Sequence, residues 1–204
     1  MPRKSRTWVA ERIRDPYHRL AKRHGIPSRA YYKLAQIDAR YKVVSEGQVA
    51  VDLGSAPGGW LVYLSGRVGE GGFVLGVDKV PVSVEAPNVR TILLDVETNG
   101  AVDVIASALP QRADLVTSDM SPKMTGVHEL DVARQLDLAR RAMAVAREVL
   151  KKGGSLVVKL FQGPGIEEVL AELRREYRRV HLFRPPATRK RSREVYAVCL
   201  GFRG

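Results

Sequence analysis

The sequence predicts an α/β fold: a mostly parallel sheet with helices on both faces, closed by a hairpin. Three observations carry that expectation. From Gln48 onward, short runs rich in Val, Ile and Leu alternate with segments of helical spacing, the pattern of successive βαβ units. A glycine-rich turn, "VDLGSAPGGW" (Val51–Trp60), joins the first such run to an apolar helical segment. The last two runs have no helical segment between them, so they pair as an antiparallel hairpin.

Taken in order, the chain opens on "MPRKSRTWVAERIRD", a basic stretch without the apolar core of a signal peptide. It is read as part of an N-terminal extension, 1–27, of a single domain spanning 1–204. "SRAYYKLAQIDARY" (Ser28–Tyr41) follows, with Tyr31, Leu34, Ile37 and Tyr41 at helical spacing and Ser28 as a candidate N-cap. Strands are expected at 48–53, 72–78, 89–94, 114–118, 154–160, 180–183 and 195–200. The clearest helix is "DVARQLDLARRAMAVAREVLKKGG", where Val132, Leu136, Met143 and Leu150 recur on one side and Gly153 and Gly154 form the expected stop. A shorter helix at 166–177 precedes the sixth strand. No apolar run approaches the ~18 residues of a membrane span. The single cysteine, Cys199, allows no internal disulfide, so a cytoplasmic location is the default.

The net charge of +12 is unevenly placed. Residues 1–42 carry twelve Lys/Arg against three Asp/Glu, and residues 184–204 carry six against one. The centre is slightly acidic. The basic ends interleave with Tyr17, Tyr31, Tyr32 and Tyr41, a pairing of cations and aromatic rings that suits phosphate contact and base stacking. Nucleic acid is therefore the expected partner, with charge alone silent on RNA against DNA. Candidate contacts are Arg3, Lys4, Arg6 and Arg29 in the N-terminal region, and Arg189, Lys190 and Arg191 in "RPPATRKRSR". Lys123 joins them from the loop "SPKMTGVHE", which is expected to line the target pocket.

The glycine turn has neither the Lys-Ser/Thr pair of a triphosphate loop nor the G-x-G-x-x-G spacing of a dinucleotide turn. Aspartates close the neighbouring strands: Asp52, Asp78, Asp95 and Asp119. Each alone reads as a cap or turn residue. Gathered on one rim, they would repel a pyrophosphate and favour a ligand bearing positive charge, an amine and hydroxyls. S-adenosylmethionine has that chemistry, with its one carboxylate available to backbone N–H groups of the loop.

Four motifs then stand in order: "VDLGSAPGGW", "SDMSP", "GGSLVVKLFQG" and "RSREVYAVCLGF". Together they resemble the FtsJ/RrmJ family of RNA ribose 2′-O-methyltransferases, the heat-shock ribosomal RNA methyltransferases, and "SRAYYKL" resembles that family's N-terminal helix. The likeness runs from Arg14 to Phe202. It implies a Rossmann-like S-adenosylmethionine-dependent fold, seven-stranded, with the last strand antiparallel. It implies a catalytic set of Lys33, Asp119, Lys159 and Glu194. It also implies cofactor contacts at Gly58, Trp60, Asp78, Asp95 and Asp119, with Asp78 on the ribose and Asp95 on the adenine amine. Ser55 departs from the alanine usual in the bacterial enzymes.

The expected reaction is in-line methyl transfer to a ribose hydroxyl, with Lys159 as general base, Asp119 orienting it, and Lys33 and Glu194 positioning the ribose. The resemblance points to a uridine in large-subunit, 23S-type rRNA; relatives that modify the tRNA anticodon loop remain an alternative. Competing classes are a base methyltransferase, a nicotinamide dehydrogenase and a non-catalytic RNA-binding or assembly factor. The first, in its cysteine-dependent form, would need Cys199, which lies in the apolar run "VYAVCLGF" and reads as core. No metal site is expected from four scattered histidines and one cysteine, and a monomer is the default.

Overall fold

The structure, a computed structural model, describes residues 15–204. Seven strands form one sheet: β1 (Val49–Leu53), β2 (Phe73–Asp78), β3 (Val89–Leu93), β4 (Ala113–Ser118), β5 (Leu150–Phe161), β6 (Tyr177–Phe183) and β7 (Glu194–Phe202). Their order is β3-β2-β1-β4-β5-β7-β6. The first five run parallel, and β7 lies antiparallel between β5 and β6. From the β1/β4 pair the connections proceed outward in opposite directions, which opens a crevice beyond the carboxyl ends of these two strands. The site is built there.

Helices cover both faces. On one side lie α2 (Ala30–Tyr41) and α3 (Gly59–Val68), which bury Leu34, Ile37, Leu61 and Leu64 against Ala50, Val74, Leu115 and Val198. On the other lie α4 (Ala101–Ser107), α5 (His128–Val149) and α6 (Ile166–Glu176), whose Ile105, Met143 and Leu170 pack on Val51, Leu75 and Val158. Because both faces are covered, every residue of β1 is buried, and it reads as a continuous apolar run rather than an alternating one. No helix among the described residues is long and apolar enough to cross a membrane.

All seven expected strands are present within a few residues. Three features differ. An extra helix, α1 (Pro16–Arg23), lies within the stretch read as an extension; Asp15 caps it by accepting from Tyr17 N and His18 N, with Pro16 at the first helical position. Helix α4, only seven residues long, had no clear periodicity to announce it. Helix α5 ends at Val149, before the predicted glycine stop. Leu150 turns extended and pairs with Ala113, where it is buried. Gly153, at φ 86°, instead serves the irregular start of β5.

Helix α2 is fixed by one buried carboxylate. Asp38 accepts from Val44 N (2.9 Å), Tyr63 Oη (2.7 Å) and Arg67 Nε (3.2 Å), tying the helix to the chain leaving it and to α3. Asp38→Ala is expected to lower the urea-unfolding free energy by about 1–3 kcal/mol, because a buried N–H and a half-buried phenol lose their acceptor. A midpoint within error of the wild type would show that α2 is held by its apolar face alone.

Candidate active site

Four ionisable side chains and one phenol meet where β4, β5 and β7 approach α2. Asp119 follows the last residue of β4. Lys159 projects from β5, with Nζ 3.1 Å from Asp119 Oδ1 and 2.6 Å from the Asp119 carbonyl oxygen. Lys33, on the first turns of α2, places Nζ 2.9 Å from Glu194 Oε1 and 3.6 Å from Asp119 Oδ2. Both lysines are buried. The four residues that the resemblance implies are thus brought together from four elements.

The sequence reading did not include Tyr196, which stands at their centre. Its hydroxyl accepts from Lys33 Nζ (3.0 Å) and donates to Asp119 Oδ1 (2.7 Å). The alternation of β7 sends Glu194 and Tyr196 to the same face, two residues apart, so the motif "REVY" contained the signal. Gln135 of α5 was also missed. Fully buried, it donates from Nε2 to Met120 O (3.2 Å) and Lys159 O (3.0 Å), tying together the backbone beside Asp119 and the backbone of Lys159. A buried glutamine on an apolar helix face was the available clue.

The charges set each other. Burial disfavours the ionised form of Asp119, but Lys159 and Lys33, with the Tyr196 hydroxyl, overrule it and hold the carboxyl down at about 2. Burial likewise works against a charged Lys33, and Asp119 and Glu194 outweigh it, raising its pKa. Tyr196 moves well up through burial and the neighbouring carboxylates, so its hydroxyl keeps its proton.

Beside this cluster opens a cleft of about 590 Å³, within the size range of small-molecule and cofactor pockets. Asp78, Asp95 and Asp119 line it together with the backbone of Gly54 and Ala56, and Leu94, Val96 and Leu138 give it an apolar wall. Asp78 also steadies the glycine turn by accepting from Ala56 N (2.8 Å), and the chain leaving β2 by accepting from Val80 N (2.9 Å). Asp95 accepts from Glu97 N and faces Lys79 at 3.7 Å. Gly54 is required here: its φ is 75°, and a Cβ would stand 2.6 Å from Met120 Cγ.

Several predicted residues sit elsewhere. Asp52 is not on the rim. It is fully buried beneath the turn, where Thr117 Oγ1 donates to its Oδ1 (2.8 Å), its Oδ2 has no partner, and burial drives its pKa well up. Gly58 and Trp60 do not line the cleft. Gly58 adopts φ 106° with Val84 packed against the space a Cβ would take, and the Trp60 indole is buried, donating to Ala30 O (2.7 Å). Arg29 is only partly exposed: its guanidinium pairs with Asp15 and donates to Ala187 O, which leaves Nε as the nitrogen without a partner. Lys123 is exposed at the cleft mouth. Arg189, Lys190 and Arg191 line a second, separate groove. Arg3, Lys4 and Arg6 lie outside the described residues. Cys199 is buried in β7, its thiol pushed up by that burial, and it does not reach the cleft. Among the described residues no group of three or more His, Cys, Asp or Glu could hold a metal ion.

Comparison with known proteins shows the family and the fold. The family model described as FtsJ-like methyltransferase matches residues 26–202. A relative from Methanobrevibacter smithii, named ribosomal RNA large subunit methyltransferase E, is 38% identical over 96% of this chain and 94% of its own. Its namesake from Stutzerimonas stutzeri is 39% identical over 98% and 97%. Among solved structures, a Plasmodium falciparum chain that carries a ribosomal RNA methyltransferase name superposes with a TM-score of 0.78 at 24% identity, over 87% of this chain and 99% of its own. A chain of the fibrillarin/Nop5p complex follows at 0.60 and 18%, over 83% and 80%. These two structural likenesses describe the fold.

The depressed pKa of Asp119 has a consequence for acid stability. A carboxylate whose folded pKa lies below its unfolded value adds stability above the unfolded value of about 4, and loses it as the pH falls towards about 2. Asp119→Asn should therefore be less stable than the wild type near neutrality, with the gap in urea midpoint narrowing as the pH is stepped down through that window. A gap that stays constant with pH would show that the lysines do not stabilise the ionised carboxylate.

Proposed function

We infer the reaction from a premise that the comparisons supply: the chain belongs to the FtsJ-like methyltransferase family. It is an RNA methyltransferase. We propose that it methylates a ribose 2′-hydroxyl of large-subunit ribosomal RNA, using S-adenosylmethionine as the methyl donor. The observation that carries this reading is the double membership of Asp119, which lines the cleft and also pairs with both buried lysines. A donor in the cleft and an acceptor beside the lysines would meet at that one carboxylate.

The residues present fit the cofactor. Three carboxylates on the rim complement a sulfonium and an ammonium, Asp78 is placed for ribose hydroxyls, and the apolar wall with Asp95 at its edge suits an adenine. When bound, S-adenosylmethionine supplies a methyl group already activated by positive sulfur. The rest falls to the chain. A ribose hydroxyl is a weak nucleophile until its proton is removed, and Lys159 Nζ is the base we assign. Taking that proton requires an unprotonated amine. Asp119 aims this amine through Oδ1 and its own carbonyl oxygen, while Lys33, held as a cation between Asp119 and Glu194, donates hydrogen bonds that fix the sugar. Tyr196, keeping its proton, locks Asp119 in one rotamer. One chain supplies all four residues, so no second copy is needed to complete the cluster, and we propose a monomer working in the cytoplasm where ribosomal RNA is processed. The full-length likeness to relatives named for large-subunit ribosomal RNA favours that substrate over the tRNA alternative.

The test is incubation with labelled S-adenosylmethionine and large-subunit ribosomal RNA lacking the modification, then nucleoside analysis. The expected product is a 2′-O-methylated nucleoside; a methylated base, or label in transfer RNA alone, would overturn the assignment. Lys159→Ala should lower single-turnover transfer by about 100-fold or more while cofactor binding persists, the usual scale for losing a general base. A near-normal rate would remove Lys159 from that role. Asp78→Ala should weaken S-adenosylhomocysteine binding, by calorimetry, about tenfold or more, the scale of lost hydrogen bonds to an ionised group. Unchanged binding would move the ribose away from Asp78.

A further inference from the structure

The second groove, about 420 Å³, shares no lining residue with the cofactor cleft. It runs between the N-terminal end of α1 and the loop at 184–193. Arg29, Arg189, Lys190 and Arg191 line it, and among the described residues Asp15 is its one acidic lining residue. That carboxylate is shared: it pairs with Arg29 and stands 3.7 Å from Arg189, while also capping α1. Among the described residues that one carboxylate serves Arg29 and Arg189, and Lys190 adds further positive charge beside them. The mutual effect is visible at Arg29, whose pKa is lowered by burial first and by Arg189 second.

Two polar atoms in this groove lack partners. Thr188 is 7% exposed and its Oγ1 makes no hydrogen bond, and neither does Arg29 Nε. A hydroxyl able to donate, a free guanidinium N–H and a surplus of cations together call for an anionic ligand rich in acceptor oxygens. The walls are preformed. Arg184 donates to the carbonyls of Arg189 (3.1 Å) and Lys190 (3.0 Å), Ala187 N donates to Gln36 Oε1 (2.7 Å), and Thr188 N donates to Pro185 O (2.8 Å). Location narrows the ligand. Arg29 precedes Lys33 by about one helical turn, so the groove adjoins the four-residue cluster. A strand whose ribose lies at Lys33 and Lys159 carries a phosphodiester on either side of that sugar.

We propose that this groove is a binding site for a backbone phosphate of the RNA strand next to the methylated nucleotide, held by Arg189, Lys190, Thr188 Oγ1 and Arg29 Nε. The assignment rests on the reading of the chain as an RNA ribose methyltransferase. It goes further in giving one phosphate a built site, apart from the cleft-mouth Lys123.

The test compares the full-length wild type with Thr188→Val and with the double variant Arg189→Ala, Lys190→Ala. Affinity for a single-stranded oligouridylate is read by fluorescence anisotropy across a salt series. The double variant should bind about tenfold or more weakly, with a log Kd against log salt slope shallower by about one or more. Thr188→Val should bind about three- to tenfold more weakly with the slope unchanged, since it removes a hydrogen bond and no charge. Calorimetry with S-adenosylhomocysteine should give wild-type affinity for all three. An oligouridylate with one neutral methylphosphonate, scanned along the strand, guards against misfolding: it should weaken binding to the wild type at one position and leave the double variant indifferent there. Wild-type affinity and slope in both variants would overturn the proposal. So would inorganic phosphate stabilising only the wild type while oligouridylate binds all three equally, which would mark a free-anion site. If the variants lose RNA affinity but the wild type transfers no methyl group to ribosomal RNA, the phosphate site stands and the reaction assigned above fails.

Discussion

Two ammonium groups share one carboxylate at the point where strand order reverses, and the surrounding structure serves to keep them there. Lys33, Lys159, Asp119 and Glu194 sum to zero formal charge, yet four charges taken partly out of water are costly unless each is paired and hydrogen-bonded. The pairing is dense: Asp119 engages both lysines and Tyr196, and Lys33 engages both carboxylates and the same phenol. Such a cluster contributes little to stability compared with an apolar core. What it contributes is orientation, because donors already aimed need not reorganise when a proton moves.

Burial separates the aspartates at the strand ends by function. Asp78, Asp95 and Asp119 reach the cleft, whereas Asp52, on the central strand, lies beneath the glycine turn with one oxygen bonded to Thr117 and the other to nothing. Its raised pKa follows from burial, reinforced by Asp119 and Asp78. A fourth anion so close would add repulsion without touching a ligand. The upward shift at Asp52 lessens that repulsion beneath the cleft.

The sheet was legible because its strands are short apolar runs punctuated by turn residues, and the hairpin because nothing helical fits between 183 and 194. The four catalytic candidates were legible through motifs: Lys33 lies in the "YYKL" of α2, Asp119 follows β4, Lys159 lies in β5 and Glu194 opens β7. Composition could not show which cations face solvent. Arg29 and Arg189 look alike in a basic sequence, but Arg29 is drawn between Asp15 and a carbonyl of a loop more than 150 residues away. Helix α1 was hidden for a related reason: its cap and proline are local signals, but what holds it is placement, with Gln36 donating to Tyr17 Oη, Tyr32 against the Tyr17 ring, and Arg29 and Arg189 on Asp15. Tyr196 and Gln135 were missed because their importance lies in which oxygen they touch, a fact of three-dimensional placement rather than residue type.

Trp60 shows how a residue can belong to a cofactor motif without lining the cleft. It opens α3 directly after the glycine turn, and its indole N–H donates to the carbonyl of Ala30 at the start of α2. Its ring also packs against Tyr196, 5.8 Å between centroids. One side chain therefore links the turn that shapes the cleft, the helix that carries Lys33 and the phenol that orients Asp119. Rigid interiors transmit small displacements because they have few voids to absorb them. A shift of the turn would be passed through Trp60 to both Lys33 and Tyr196. The spacing between cleft and cluster is thus set by packing behind the site, and in-line transfer tolerates little error in that spacing.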